Sequence, residues 1–369
     1  MANNSGKGTQ FEYLLCEMFA EQDYFARRSI PIMFTNGQDV TDIDVLGIKF
    51  IYPFEKKMLI CDCKNKARSR PFERVFWTKG LGAYVGVDEE YVALPKANGE
   101  IISFAKQCGV RVIVQEELSK YGKEKRGYAD YSFLGEFLKN IEDKKNGDIA
   151  AVRYLSILKR EYLSDNPYKS LNVALLILNK LSKENLSEDG ARIVYAEGVT
   201  VVAYSLLDIC HDVFGLGSAD RDRYIEKKLT YGDSDESYIE NLVNNITMYA
   251  NEVLAEKIPK EYYNKNLVDK MVIPKPHYTK NCISVVEKAY SNPGVYIDIL
   301  QNLDFIMFEF FVKKKKFDQT VFAEYCRNFR TDEKLKACKN ILFFIGNSSA
   351  VFLNDIWKEE PEFIPQKRL

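Results

Sequence analysis

The stretch from Thr41 to Lys64 restricts the fold more than any other part of the chain. It reads TDIDVLGIKF, IYPFEKK and MLICDCK without a break. Two apolar, β-branched runs flank Tyr52-Pro53-Phe54-Glu55, a turn-forming cluster, and such runs pair as an antiparallel hairpin. Alternation puts Asp42, Asp44 and Leu46 on one side of the first strand, with Ile43 and Val45 on the other. On the returning strand Ile60, Asp62 and Lys64 share a face, opposite Leu59, Cys61 and Cys63. A turn centred near Pro53 and Phe54 sets residue 44 opposite roughly residue 63, within a residue or two. Direct cross-strand neighbours have Cβ atoms ~5 Å apart, so Asp44 and Asp62 can converge on one cation. Lys64 then lies ~6.5 Å further along the same face. A one-residue slip would turn a strand to its wrong face, so the inference depends on this turn. Two carboxylates and a lysine gathered this way suit metal-assisted phosphodiester cleavage. The competing explanation for Asp62 and Lys64 is an exposed cross-strand ion pair, a common and weak interaction. The apolar flanks of LICDC argue against it, because a charge among such neighbours needs a reason.

The segments on either side extend this picture. Residues 9–22, TQFEYLLCEMFAEQ, have the period of an amphipathic helix, with Phe11, Leu14, Leu15, Met18 and Phe19 on one broad face. Thr9 and Glu12 have the spacing of a capping box, which gives Glu12 a purely structural role beside any chemical one. Arg27-Arg28-Ser29 leads into the extended run IPIMF, and Asn36-Gly37 is a turn signal. Beyond the hairpin, residues 64–79 carry Lys64, Lys66, Arg68, Arg70, Arg74 and Lys79 against the lone acid Glu73. Phe72, Phe76 and Trp77 are interleaved with them. A charge run is usually a solvated loop, but its position after the acidic hairpin makes these residues candidate phosphate contacts. A strand at 90–94, a helix at 101–108 ending at Gly109, and a strand at 110–114 complete an α/β core with a mixed sheet.

After the connection at 121–130 the composition becomes helical. Helices are expected at 132–142, 149–163, 168–184, from about 187 to 214, and at 219–231, 235–257, 279–291, 295–312, 318–328 and 332–357, punctuated by Pro259, Pro274, Pro276 and Pro293. The division read from this is 1–120 for the α/β part, 121–147 for the connection and 148–369 for an all-α part. The segment through IVYAEGVTVVAYSLLDIC is the most apolar, yet Arg192, Glu197, Asp208 and Asp212 interrupt it, so a buried bundle helix is expected rather than a membrane span. The Lys313–Lys316 run reads as a solvated helix end. Eight cysteines sit mostly in apolar runs without paired CxxC motifs, and only two histidines occur, which disfavours a zinc site. The start MANNSGKGTQ has no signal-type apolar region. A reduced, cytoplasmic setting with no membrane partner is expected. The net charge of −1 excludes a uniformly basic surface but leaves room for a local basic patch.

Taken together, GKGTQFEYLL, TDIDVLG, LICDCKNK and FAKQCGVRVIV resemble the PD-(D/E)xK nuclease superfamily, in particular Mrr-type restriction endonucleases and archaeal-type Holliday-junction resolvases. The resemblance covers about the first 115 residues and implies a restriction-endonuclease-like α/β core; the helical remainder carries no such likeness. It implies an active site of Glu12 from the helix, Asp44 from the strand, and the triplet Asp62, Cys63 and Lys64. Asp44 is preferred to Asp42 because it directly precedes VLGI. Ile43 stands where the nominal proline would be, and the triplet opens with Asp rather than the longer Glu. The resemblance further implies Mg²⁺ or Mn²⁺ held by Asp44, Asp62 and the Cys63 carbonyl, with Glu12 ligating through water or holding a second ion. Lys64 would position water, and the substrate would be DNA, with RNA left open. The expected activity is that of a metal-dependent endonuclease, for which restriction or defence is the usual setting. The helical part is then expected to sense, recruit or form a homodimer. The alternative is a nuclease fold that binds nucleic acid or a protein without cutting; a third is a helical scaffold with an accessory N-terminal part.

Overall fold

The computed structural model describes residues 5–34, 38–63, 70–116, 118, 131–142, 147–181, 183–259, 273–348, 351–354 and 362–365. Helix α1 (Ser5–Glu21) leads into β1 (Phe25–Met33), β2 (Asp39–Ile51) and β3 (Glu55–Cys63). Then follow α2 (Pro71–Val85), β4 (Glu89–Leu94), α3 (Gly99–Gln107) and β5 (Val110–Val114). The five strands form one sheet in the order β1-β2-β3-β4-β5. The first three are antiparallel, and β3, β4 and β5 run parallel. The parallel steps need crossovers, and α2 and α3 supply them.

The two faces of the sheet are filled differently. Val75 of α2, Val92 and Leu94 of β4, Ala105 of α3 and Val110 of β5 make a small buried cluster on one face. On the other face α1 packs Phe19 edge-on against Tyr91 of β4, with ring centroids 5.2 Å apart. From there the main core continues without interruption into the helices that follow.

Those helices are α4 (Tyr131–Ile141), α5 (Ile149–Arg160) with a 3₁₀ turn at Glu161–Leu163, α6 (Pro167–Lys180), α7 (Glu188–Asp212), α8 (Ser218–Tyr231) and α9 (Glu236–Lys257). After residue 273 come α10 (Thr279–Ser291), α11 (Pro293–Tyr296), α12 (Ile299–Ile306), α13 (Gln319–Tyr325) and α14 (Thr331–Ser348). Helix α7 is long and apolar enough to cross a membrane, but its apolar stretch is buried inside the fold from end to end. It packs against α5, α6, α10, α12 and β3. Asp208 bonds Lys56 of β3 at 2.7 Å, and the His211 ring is hydrogen-bonded to the Phe54 carbonyl at 3.0 Å, so α7 grips the β2–β3 turn.

A buried polar junction also joins the sheet to the helices. Arg27 of β1 donates Nε to Glu197 of α7 (3.1 Å) and reaches Asp304 of α12 with both terminal nitrogens (2.5 and 3.2 Å). Tyr162 and Thr200 complete the network around Glu197. Lys159, half-buried beside it, donates to the Arg28 carbonyl; burial lowers its pKa, and the charge of Glu197 works against that shift. Burying charge is tolerated only when it is paired in this way.

Three sequence expectations are corrected here. Helix α1 already runs from Ser5, so Thr9 is inside it and the Thr9–Glu12 capping box does not form. The helix expected at 295–312 is broken after Tyr296, and Met307–Val312 is a π turn directly after the Asp304 segment. The last helix ends at Ser348 rather than 357, and the C-terminal region is not wholly helical: β6 (Val351–Asn354) pairs with β7 (Glu362–Pro365). Gly346, Asn347 and Ser348 are weak helix formers, and the Val-Phe-Leu run beyond them favours a strand.

Candidate active site

The hairpin register decides where the carboxylates fall. Val45 of β2 pairs with Cys61 of β3 and Leu46 with Ile60, so one further step sets Asp44 opposite Asp62. The sequence expectation had placed residue 44 against roughly 63. Cross-strand partners share a face, so the two carboxylates point the same way. In turn Asp62 pairs with Val92 of β4, which lies in the cluster beneath α2. Asp44 and Asp62 therefore face α2, whereas Cys63, paired with Ala93, faces the α1 side.

Helix α2 answers the carboxylates with an arginine. Arg74 donates Nε to Asp62 Oδ2 at 2.7 Å, and its terminal nitrogen reaches Asp62 Oδ1. Asp62 is only 6% exposed. Asp62 thus has a partner that the sequence reading did not name: a partly buried bidentate pair with Arg74, the strong form of the interaction. Partial burial lowers the Arg74 pKa, and the charge of Asp44 works against that shift. Arg74 therefore lies within electrostatic reach of both acids. The Cys63 amide donates to Asp44 Oδ2 at 2.7 Å, fixing that side chain over the end of β3. Across the sheet from Asp44, Ser29 of β1 has φ of 53°, in the left-handed region, and falls between the paired residues Arg28–Val45 and Ile30–Ile43. A non-glycine residue there is uncommon inside a strand.

Glu12 approaches from the other face. It sits on α1 and pairs with Arg28 of β1, whose Nε and terminal nitrogen both lie 2.9 Å from Glu12 Oε2. Burial opposes the Arg28 charge, but Tyr13 and Glu12 outweigh it and raise its pKa. The Cys63 thiol is pushed up, chiefly by burial, with Cys61, Asp44 and Glu12 adding to the effect. Glu12 thus reaches the neighbourhood of the site but is held by arginine.

The basic candidates divide. Lys64, Lys66 and Arg68 lie outside the described residues. Arg70 pairs with Glu73 at 2.7 Å and Lys79 with Glu90 at 2.8 Å, and both cationic side chains remain exposed beside their acidic partners. The Lys313–Lys315 run is likewise paired, with Glu309, Glu188 and Asp189. None of the eight cysteines forms a disulfide.

Two hard carboxylate donors on adjacent strands and the Cys63 carbonyl are the kind of oxygen set that Mg²⁺ or Mn²⁺ accepts. The guanidinium of Arg74 is a cation already seated against them. Among the described residues no three His, Cys, Asp or Glu side chains group closely enough to hold an ion. Mg²⁺ commonly uses one or two carboxylates and fills its other positions with water and phosphate, so Asp44 and Asp62 fit such an ion, while Glu12 does not join them in this arrangement. The residues that sequence reasoning missed are Arg28, as the partner of Glu12, and Arg74 in its role against Asp62. Adjacent arginines in a strand-like run were a signal, because alternation sends Arg27 and Arg28 to opposite sides.

No protein-family model matches the chain, and neither a curated protein nor a solved structure matches it. The mixed five-stranded sheet flanked by helices and the helical C-terminal region define an α/β core joined to a helical part.

Proposed function

We propose that the chain is a metal-dependent endonuclease acting on DNA phosphodiester bonds. The observation that carries this reading is the opposition of Asp44 and Asp62 across β2 and β3, with a cationic side chain against the pair. Asp44, Asp62 and the Cys63 carbonyl would hold Mg²⁺ or Mn²⁺. When bound, such an ion supplies Lewis-acid polarisation of the phosphoryl oxygen and activation of water. Asp44 is oriented for this by the Cys63 amide, and Asp62 by its buried seat on β3. Lys64, next along the chain, would position the attacking water and offset charge that builds on the phosphate. Arg74 would move from carboxylate to phosphate as substrate enters, exchanging one bidentate partner for another of similar geometry.

Plasmid, linear and branched DNA, and RNA, incubated with Mg²⁺ or Mn²⁺ test the reading. Nicking or cleavage of DNA is expected, and Asp62→Ala and Lys64→Ala should each abolish it with circular dichroism unchanged. Full cleavage by both folded variants would overturn the assignment.

A second reading follows from the ion pairs themselves. Asp62 is saturated by Arg74 and Glu12 by Arg28, an arrangement that also suits a module that binds nucleic acid or a protein and does not cut. Persistent binding without product under every metal condition would favour it.

A further inference from the structure

A groove of about 290 Å³ lies between α2 and the start of β2, the helix and strand that also carry Arg74 and Asp44. Its walls are Ile32, Val40, Phe76, Trp77, Leu81 and Tyr84, with Gly80 and Thr41 completing the lining. The rings are exposed: Phe76 is 62%, Trp77 46% and Tyr84 71% accessible. Exposed aromatic side chains gathered on one helix face call for a partner. Arg74 connects this groove to the site. The same guanidinium that binds Asp62 lies 5.9 Å from the centre of the Trp77 ring. A phosphodiester at the carboxylates is therefore within about one nucleotide of an aromatic platform.

We propose that the groove receives the bases of an unpaired nucleic-acid strand whose backbone passes Asp44 and Asp62. The proposal rests on the reading of that site as one that handles phosphodiesters. Three features select this occupant. Arg74, bonded to Asp62, adjoins Trp77 on the groove wall. The groove floor is carried by α2, which bears Arg74 and Lys79 and follows directly on Arg70; Arg70 and Lys79 are exposed beside their acidic partners, within reach of a phosphate chain. The groove walls are mostly apolar, with hydrogen-bonding groups only on Thr41, the Trp77 indole and the Tyr84 phenol. Bases in a duplex hide their faces in the stack, so only unpaired or splayed-out bases can use such rings. Stacking on such rings reads no sequence, since every base presents a π face.

Trp77 reports on its own occupancy. The only other tryptophan is Trp357, so full-length Trp357→Phe leaves Trp77 as the single indole. In EDTA, where no cleavage occurs, this protein is titrated with a mixed-sequence single-stranded oligodeoxynucleotide and with the blunt duplex of the same sequence. Quenching by the single strand at lower concentration than by the duplex is expected, varying only a few-fold with base composition. Trp77→Ala and Tyr84→Ala should each weaken single-strand binding by about ten- to a hundredfold, measured by anisotropy of labelled DNA. Trp77→Phe, which keeps a ring, should recover most of the loss and separates stacking from misfolding. Silent fluorescence with the single strand, or equal quenching by the duplex, would overturn the proposal. So would a spectral shift on concentrating the protein alone with a doubling of mass in light scattering, since a second copy would then cover the groove. Selective quenching without any cleavage in Mg²⁺ would leave the groove assignment standing and remove the nuclease reading. Cleavage with a silent Trp77 would do the reverse.

Discussion

Arg74 and Asp62 show how one side chain can set the state of a site. A guanidinium bound through two nitrogens to a buried carboxylate competes with any divalent ion for the same oxygens. Arg74→Ala removes that competitor, and Mn²⁺ affinity, followed by electron paramagnetic resonance without nucleic acid, should rise. Asp62→Asn in the same background should abolish the gain. Unchanged affinity in Arg74→Ala would mean that the arginine does not compete. Glu12 is a different case. Its partner Arg28 sits on the neighbouring strand, so Arg28→Ala should release a partly buried carboxylate and cost stability, detected as a lower denaturation midpoint. The sequence made Asp44 and Asp62 legible because strand alternation and a proline-centred turn constrain a hairpin to within a residue or two. It could not reveal Arg74 as their partner, because twelve residues and an unread loop separate it from Asp62.

At the scale of elements, helix ends and strand pairing explain both the successes and the errors. The helices at 149, 188 and 279 were legible from their helical pattern, with Ser187 marking the start of the second, and they start where expected. The overlong final helix came from treating Val351-Phe352-Leu353 as a continuation, when a weak helix stretch had already ended it. Asp148 shows what capping contributes. Its Oδ1 accepts from the Ala151 amide at 2.9 Å, and its Oδ2 accepts from the Ser187 amide and hydroxyl at 2.7 and 2.8 Å. One carboxylate thus starts α5 and ties down the residue that caps α7. Asp148→Ala should cost about 1–3 kcal/mol in urea denaturation, combining a lost N-cap with freed amides. Partial burial works to raise the Asp148 pKa, but the Ala151 and Ser187 hydrogen bonds prevail and lower it below the usual carboxylate value. Its contribution is therefore full above the unfolded carboxylate pKa and is lost as pH falls through the folded one. The stability gap between wild type and Asp148→Ala should narrow in that acid window and stay constant near neutrality.

For the whole molecule, the joint between sheet and helices matters most. Composition marked a change near residue 121, and that change is real: strands precede it and helices dominate after it. Composition could not show that the two parts share a core, because packing partners 170 residues apart leave no local trace. Arg27, Glu197 and Asp304 join β1, α7 and α12 through charges that water does not reach. Arg27→Ala leaves two buried acids short of a partner and should destabilise the protein by about 3–5 kcal/mol. Thermal unfolding of the wild type followed separately by near- and far-ultraviolet circular dichroism should give coincident transitions; two resolved transitions would show that the parts melt independently.

The grip of α7 on the β2–β3 turn has a practical consequence. His211 and Asp208 hold Phe54 and Lys56, at the closed end of the hairpin whose open end carries Asp44 and Asp62. An engineer who cut the chain after β5 to move the sheet onto another protein would remove the clamp that fixes the hairpin. The transplantable unit is the sheet together with α7, and a chimera designed without that helix would inherit the carboxylates but not their alignment.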